Sequence, residues 1–206
     1  KRKLTLVSLL YSFARALMFA YKHKMIEKII SKKSKILDFG SGTGDFLLYM
    51  KRKNHQVYGV EPNKAAREIS SKNGIIPFEN LKQLQGAKFH TITLWHVLEH
   101  LQDPSQAIKS FHKMLDKEGV LIVAVPNLES HDALHYKNFW AALDVPRHLW
   151  HFTSKGLLKI VQENGFSFVK VFPLWFDTLY ISYLSERNRS KKFALIRGVF
   201  KGIYFN

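Results

Sequence analysis

Two acids and a run of glycines raise the first chemical question. Ile36-Leu37-Asp38-Phe39 leads directly into Gly40-Ser41-Gly42-Thr43-Gly44, and Glu61 stands 21 residues beyond Gly40, followed by Pro62. Glycines at alternate positions let backbone N–H groups approach a ligand closely. A helix opening at Asp45 adds the positive end of its dipole. A carboxylate at that mouth repels a pyrophosphate and attracts a cation. An acid about 20 residues past the glycines is placed to accept both hydroxyls of an adenosine ribose. The dinucleotide fingerprint G-x-G-x-x-G is not met, because Asp45 occupies the place of its third glycine. An ordinary glycine-rich turn is the competing reading.

A second set is rich in histidine. Trp95-His96-Val97-Leu98-Glu99-His100-Leu101 holds three groups able to move a proton or bind a metal, and Pro146-Arg147-His148-Leu149-Trp150 holds two more candidates. Histidine has the pKa a general base needs at neutral pH. The candidates in order are His100, His148 and His96, each against the alternative of a histidine that only holds a loop. Glu99 and His100 together offer a carboxylate and an imidazole to a divalent cation. Further ligands cannot be named, so no metal is assigned. His131 and His135, at i,i+4, make a weaker metal pattern. Arg147 is suited to clamp an anionic group or to pair with Asp144. Trp140 and Trp150 are suited to stack on a planar substrate or to pack the loop that carries them.

The elements that position these residues follow from periodicity. Strands are expected at 36–39, 57–60, near Ile75-Ile76, at 90–94, 120–125 and 166–172. Helices are expected at 45–53 and at 64–72, the latter closed by Asn73-Gly74. A third starts from Asp103-Pro104 with Gln106 as capping partner and runs to Gly119, and a fourth starts at Thr153 or Ser154 and ends at Asn164-Gly165. Residues 126–152 show no regular element. Their aromatic content (Tyr136, Phe139, Trp140, Trp150) argues for a functional loop rather than disorder. Leu174 to Leu184 reads as strand or helix, and Ser190 to Phe205 as a basic amphipathic helix. Alternating strands and helices imply an α/β sheet whose ligands bind beyond the C-terminal strand ends. Phe78 to Leu81 would then border an adenine.

Charge is concentrated at the ends. The chain has 206 residues and a net charge of +16. Residues 1–35 hold ten Lys/Arg and one acid, residues 186–206 six and one, and the middle is nearly neutral. Basic ends suit an anionic substrate, an anionic membrane surface or nucleic acid. The absence of cysteine excludes disulfides and thiolate metal sites and fits a reducing compartment, hence a cytoplasmic protein, or one peripheral to a membrane. Leu4 to Tyr21 is apolar but interrupted by Arg15, which argues against a signal peptide or a membrane span. Its helical spacing predicts an extension that packs on the domain or lies on a membrane. The organisation expected is one domain: a basic helical extension (1–33), a core (34–173) and a C-terminal segment (174–206).

Together these segments resemble the class I S-adenosylmethionine (SAM) methyltransferases, and more narrowly the branch containing ubiquinone-biosynthesis O-methyltransferases. The matching stretches are Ile36–Gly44, Val57–Pro62, Thr93–Pro104, Gly119–Asn127 and Pro146–Leu149. The resemblance implies a Rossmann-like, mostly parallel seven-stranded sheet with helices on both faces, although the seventh, antiparallel strand is not evident. It also implies that Asp38, Gly40, Ser41 and Gly42 hold the methionine part of SAM, that Glu61 and Pro62 meet the ribose, and that Trp95 and His96 lie along the cofactor. The expected activity is methyl transfer to a small-molecule hydroxyl. A nucleic-acid methyltransferase is the alternative, weakened because Leu94-Trp95-His96-Val97 replaces the Asn/Asp-Pro-Pro-aromatic signature of base-modifying enzymes. A non-catalytic binding module at a membrane is the third reading.

Overall fold

A computed structural model describes residues 6–30, 33–190 and 193–205. The elements are α1 (Leu6–Glu27), β1 (Lys35–Phe39), α2 (Asp45–Arg52), β2 (Gln56–Val60), α3 (Lys64–Lys72), β3 (Phe89–Trp95), α4 (Pro104–Met114), β4 (Leu115–Ala124), α5 (His131–Tyr136), α6 (Ser154–Glu163), α7 (Trp175–Arg189) and α8 (Ala194–Phe205). They cluster into two compact units, one of Lys1–Trp95 with Ser110–Val123, the other of His96–Lys109 with Ala124–Asn206. The start of the apolar N-terminal run, Leu4 and Thr5, lies outside the described residues, as do Lys191 and Lys192 of the basic tail.

In the first unit the sheet runs in the order β2-β1-β3-β4. β1 pairs in parallel with both β2 and β3, and the register sets Asp38 opposite Gly59 on one side and Thr93 on the other. Ile36, Leu37, Ile92 and Leu94 are fully buried, as expected of strands covered on both faces. α1 packs Phe19 and Ile26 against Phe46 and Met50 of α2. The contacts come from Phe19 and Ile26, while Leu17, part of the apolar spacing in the sequence, is exposed.

The sheet has four strands among the described residues, not seven. Where a strand is expected at Ile75-Ile76, pairing reduces to a single parallel bridge between Val60 and Phe78. Pro77 has no N–H to offer a ladder there. Residues 166–172 form no strand either: Phe168, Val169 and Val171 stand exposed. Their β propensity meets no partner strand, and propensity without a partner does not make a ladder. The helix from Pro104 stops at Met114, and β4 already begins at Leu115, so Gly119 falls inside the strand.

In the second unit the stretch expected as strand or helix from Leu174 to Leu184 resolves as helix from Trp175 onward, within α7, with Leu174 at its N-cap. α8 packs closely on it: a Cβ on Gly202 would sit 2.8 Å from Leu179 Cα, and one on Gly198 would collide with the Tyr183 backbone. Lys201 of α8 donates to the buried Glu186 of α7 at 2.7 Å. The stretch 126–152 contains α5 and two single helical turns, Lys137–Phe139 and Ala141–Leu143, which the sequence pattern does not reveal. No helix among the described residues is long and apolar enough to cross a membrane.

Candidate active site

The first unit carries a cradle at the C-terminal ends of β1 and β2. Gly40, Gly42 and Gly44 all take positive φ, which turns the chain from β1 into α2 within five residues. Gly40 and Ser41 both donate to the Val60 carbonyl, at 2.8 and 3.1 Å, fastening the loop to the end of β2. Gly42 faces open space: a Cβ there would meet nothing within 4 Å. Gly44 has a packing role, since a Cβ would run into Ser70.

Glu61 is the clasp of this loop. One carboxylate oxygen accepts the Gly42 N–H at 2.8 Å and the other accepts the Asn63 N–H at 2.8 Å. A carboxylate has about four lone-pair sites, so capacity for two hydroxyl donors remains. Pro62 presents its carbonyl to Arg67 at 2.7 Å.

Asp38 is buried and accepts the Thr93 hydroxyl at 2.7 Å. Burial pushes its pKa up from 3.8 to about 7; the Thr93 bond and the Lys22 charge oppose the rise, and the Glu61 carboxylate adds to it. The two acids therefore feel one another, and the site stores unfavourable negative charge that an arriving cation relieves. Lys22 of α1, itself buried, holds its ammonium 4.0 Å from the centre of the Trp95 ring. The buried Ser41 hydroxyl and the Trp95 indole N–H have no hydrogen-bond partner among the described residues. An open glycine loop, two acids and two orphaned polar atoms fit a ligand that carries an ammonium, a carboxylate and a ribose, as SAM does. The Ser41 hydroxyl could donate to such a carboxylate, since the N–H groups of Gly40, Ser41 and Gly42 are already engaged by Val60 and Glu61.

The second unit gathers the histidines. His96 follows β3 in the left-handed region (φ 57°), a strained conformation for a side chain of this kind. Its Nε2 bonds Asp177 at 2.8 Å and its Nδ1 lies 3.6 Å from Glu99. Burial works against its charge, but the Asp177 bond and the Glu99 carboxylate outweigh it, and its pKa is raised to about 9. His96 is thus protonated at neutral pH, which removes it as a resting proton acceptor.

His100 and His148 differ from it. Each sets Nδ1 against a backbone carbonyl, His100 on Arg147 at 2.9 Å and His148 on Ala142 at 2.8 Å. A carbonyl only accepts, so in the neutral ring Nδ1 is the protonated nitrogen and Nε2 the acceptor; the His148 Nε2 lies 4.0 Å from Glu99 and 3.8 Å from Asp144. The two rings meet edge to face, 4.7 Å apart. The Glu99 carbonyl binds the N–H groups of both Leu149 and Trp150, at 2.9 and 3.2 Å, and so ties the two histidine segments together.

The aromatic and cationic candidates are largely engaged elsewhere. Trp140 is 4% exposed, packs among Ala133, Tyr136 and Ala142, and donates to Asp132 at 2.8 Å. That burial leaves no ring face for a planar substrate. Trp150 is half exposed and donates to the Leu101 carbonyl. Arg147 forks onto Asp144 at 2.7 and 2.8 Å, the pairing alternative of the sequence. His135 lies against Lys201 at 2.8 Å, apart from any carboxylate cluster. Lys22, Thr93 and Asp177 are site residues the sequence reading does not single out. Thr93 carries a signal, a hydroxyl inside an apolar strand, whereas Asp177 lies 81 residues from His96 with none.

Comparison with known proteins agrees with this geometry. A family model described as a methyltransferase domain matches residues 11–171. An uncharacterized methyltransferase of Oceanobacillus iheyensis is 30% identical over 122 residues, covering 55% of this chain and 56% of that protein. The ubiquinone biosynthesis O-methyltransferase of Actinobacillus pleuropneumoniae is 34% identical over 107 residues, 45% of this chain and 46% of that protein. The chain spans about half the length of these curated relatives. The magnesium protoporphyrin IX methyltransferase of Synechocystis PCC 6803, solved with bound SAH, shares the fold with a TM-score of 0.61 at 16% identity, covering 82% of this chain and 81% of that one. The chain belongs to the methyltransferase domain family.

Proposed function

We propose that the protein is a SAM-dependent methyltransferase that methylates a hydroxyl oxygen of a small-molecule acceptor. The observation that carries the proposal is the pair Asp38 and Glu61 beside an open glycine loop, with the Asp38 pKa raised to about 7 by burial. Asp38 receives the methionine ammonium, and Glu61 the ribose hydroxyls. Gly40, Ser41 and Gly42 line the methionine part, and Pro62 and Trp95 flank the cofactor. When bound, SAM supplies a methyl group on a sulfonium that leaves as a neutral thioether. The protein's task is then alignment and removal of the acceptor proton, a contribution of roughly 10²–10⁴-fold. His100 and His148 suit that step because each engages a backbone carbonyl through Nδ1, which makes Nε2 the acceptor of the neutral ring. Oxygen as the target draws support from the Actinobacillus relative, whose name states O-methylation. The excess of positive charge favours an acceptor with an anionic group.

The experiment is to incubate the protein with SAM and a panel of phenols, catechols, hydroxy acids and RNA, and to measure S-adenosylhomocysteine formation. Turnover on a hydroxylated small molecule is expected. Turnover confined to RNA, or none in a protein that binds SAM, would contradict the acceptor assignment.

A further inference from the structure

We propose that Glu99, His100 and His148 form a binding site for a divalent transition-metal ion. The sequence alone offers Glu99 and His100; the fold adds His148 from 48 residues downstream of His100. One ligand atom from each of the three lies within 4.8 Å of the others. Glu99 Oε1 and His148 Nε2 are 4.0 Å apart. Ligands of a tetrahedral zinc ion sit roughly 3.3 Å apart, given bond lengths of about 2.0–2.1 Å. Small side-chain rotations therefore close the site.

Two independent features point to a ligand here. Glu99 is 1% exposed, yet neither carboxylate oxygen has a hydrogen-bond partner among the described residues. The ring nitrogens beside it, His96 Nδ1 at 3.6 Å and His148 Nε2 at 4.0 Å, are too distant for a hydrogen bond. A buried carboxylate without donors is costly unless something coordinates it. The second feature is the orientation of the imidazoles. Metal-bound histidines ordinarily donate their other ring N–H to a carbonyl or carboxylate, which fixes the tautomer. His100 and His148 both set Nδ1 on a carbonyl, of Arg147 and Ala142, which leaves Nε2 as the ligand atom of each ring.

Two imidazoles and one carboxylate suit zinc, cobalt or iron(II) better than magnesium or calcium, which favour all-oxygen shells. Three protein ligands leave a coordination position open, as in catalytic zinc sites. An acceptor oxygen placed there would lose its proton more readily, a part otherwise played by free imidazole. That role rests on the methyl-transfer reading, whereas occupancy of the site does not.

The test is calorimetric titration of the metal-stripped full chain with Zn²⁺, repeated with Co²⁺ and its visible absorption. The wild type should bind one equivalent with a tetrahedral-type cobalt spectrum. Glu99→Gln and His148→Gln should each weaken binding at least tenfold and bleach that spectrum, while His131→Gln should not. Since Glu99 and His148 are buried, His100→Gln at an exposed position serves as the third variant, and thermal melting checks that each is folded. Binding unchanged in folded His100→Gln and Glu99→Gln would overturn the proposal, as would failure of the wild type to bind. SAM binding, measured separately, reports on the methyl-transfer reading alone.

Discussion

Asp38 and Thr93 face each other across the β1–β3 pair, and the threonine hydroxyl donates to the buried carboxylate at 2.7 Å. That bond stabilises the ionised acid, but burial dominates, so the pKa stands near 7. Between about pH 4 and 7 the folded protein holds a proton that the unfolded chain has released. Stability of the cofactor-free protein should therefore fall as pH rises through that window. An ammonium bound at Asp38 favours the carboxylate, so binding below pH 7 must displace the proton. Affinity for S-adenosylhomocysteine should decline as pH drops below 7, approaching tenfold per unit. Calorimetry at pH 6 in buffers of different ionisation enthalpy should register close to one proton released, and Asp38→Asn should abolish that release.

Lys22 should tune the same acid from α1. Its charge opposes the rise in the Asp38 pKa, and its stem and ammonium cover Trp95. Lys22→Met keeps the apolar stem and removes the charge. Affinity for S-adenosylhomocysteine at pH 7 should weaken by about two- to fivefold, and the pH at which affinity begins to fall should move upward. An unchanged pH profile would mean that Lys22 only packs.

Gly198 sets the approach of α8 to α7. A Cβ there would strike the Tyr183 backbone, which has no rotamer by which to yield. Gly198→Ala should destabilise the pair by about 1–3 kcal/mol, despite alanine's better helix propensity. Hydrogen exchange should accelerate in residues 175–205, while binding of S-adenosylhomocysteine by the first unit is retained.

Arg147 offers a contrasting expectation. Its guanidinium is 75% exposed and already paired with Asp144. Arg147→Ala should change thermal stability by less than about 1 kcal/mol. A large rise in KM for an anionic acceptor, with kcat retained, would show that the arginine exchanges Asp144 for substrate.

The arrangement of the glycine loop in the first unit was legible because its determinants are local. Asp38, the glycines and Glu61 sit at strand ends that short apolar runs mark; the structure places Asp38 in β1 against Thr93 and joins the glycine loop to Glu61. The histidine cluster of the second unit was only partly legible. Glu99 and His100 are neighbours in sequence, but the hydrogen bonds that set the tautomers of His100 and His148 run to Arg147 and Ala142 in a stretch without periodicity. The charge state of His96 depends on Asp177, for which no local pattern exists. Strands were over-read wherever apolar β-branched and aromatic residues lacked a partner, as at Phe168 to Val171, or met Pro77. The Gly198-x-x-x-Gly202 spacing marks the face of α8 that approaches α7, a signal the amphipathic reading passed over.

The central claim is that Asp38 and Glu61 hold one adenosyl ligand between them. Its most direct test is calorimetric titration of the full chain at pH 7.5 with S-adenosylhomocysteine, in parallel with Asp38→Asn and Glu61→Gln. The account predicts one-to-one binding that each substitution weakens at least tenfold, as expected when a charge-assisted hydrogen bond is lost. Absence of binding at high micromolar concentration, or binding that both folded variants retain, would contradict it.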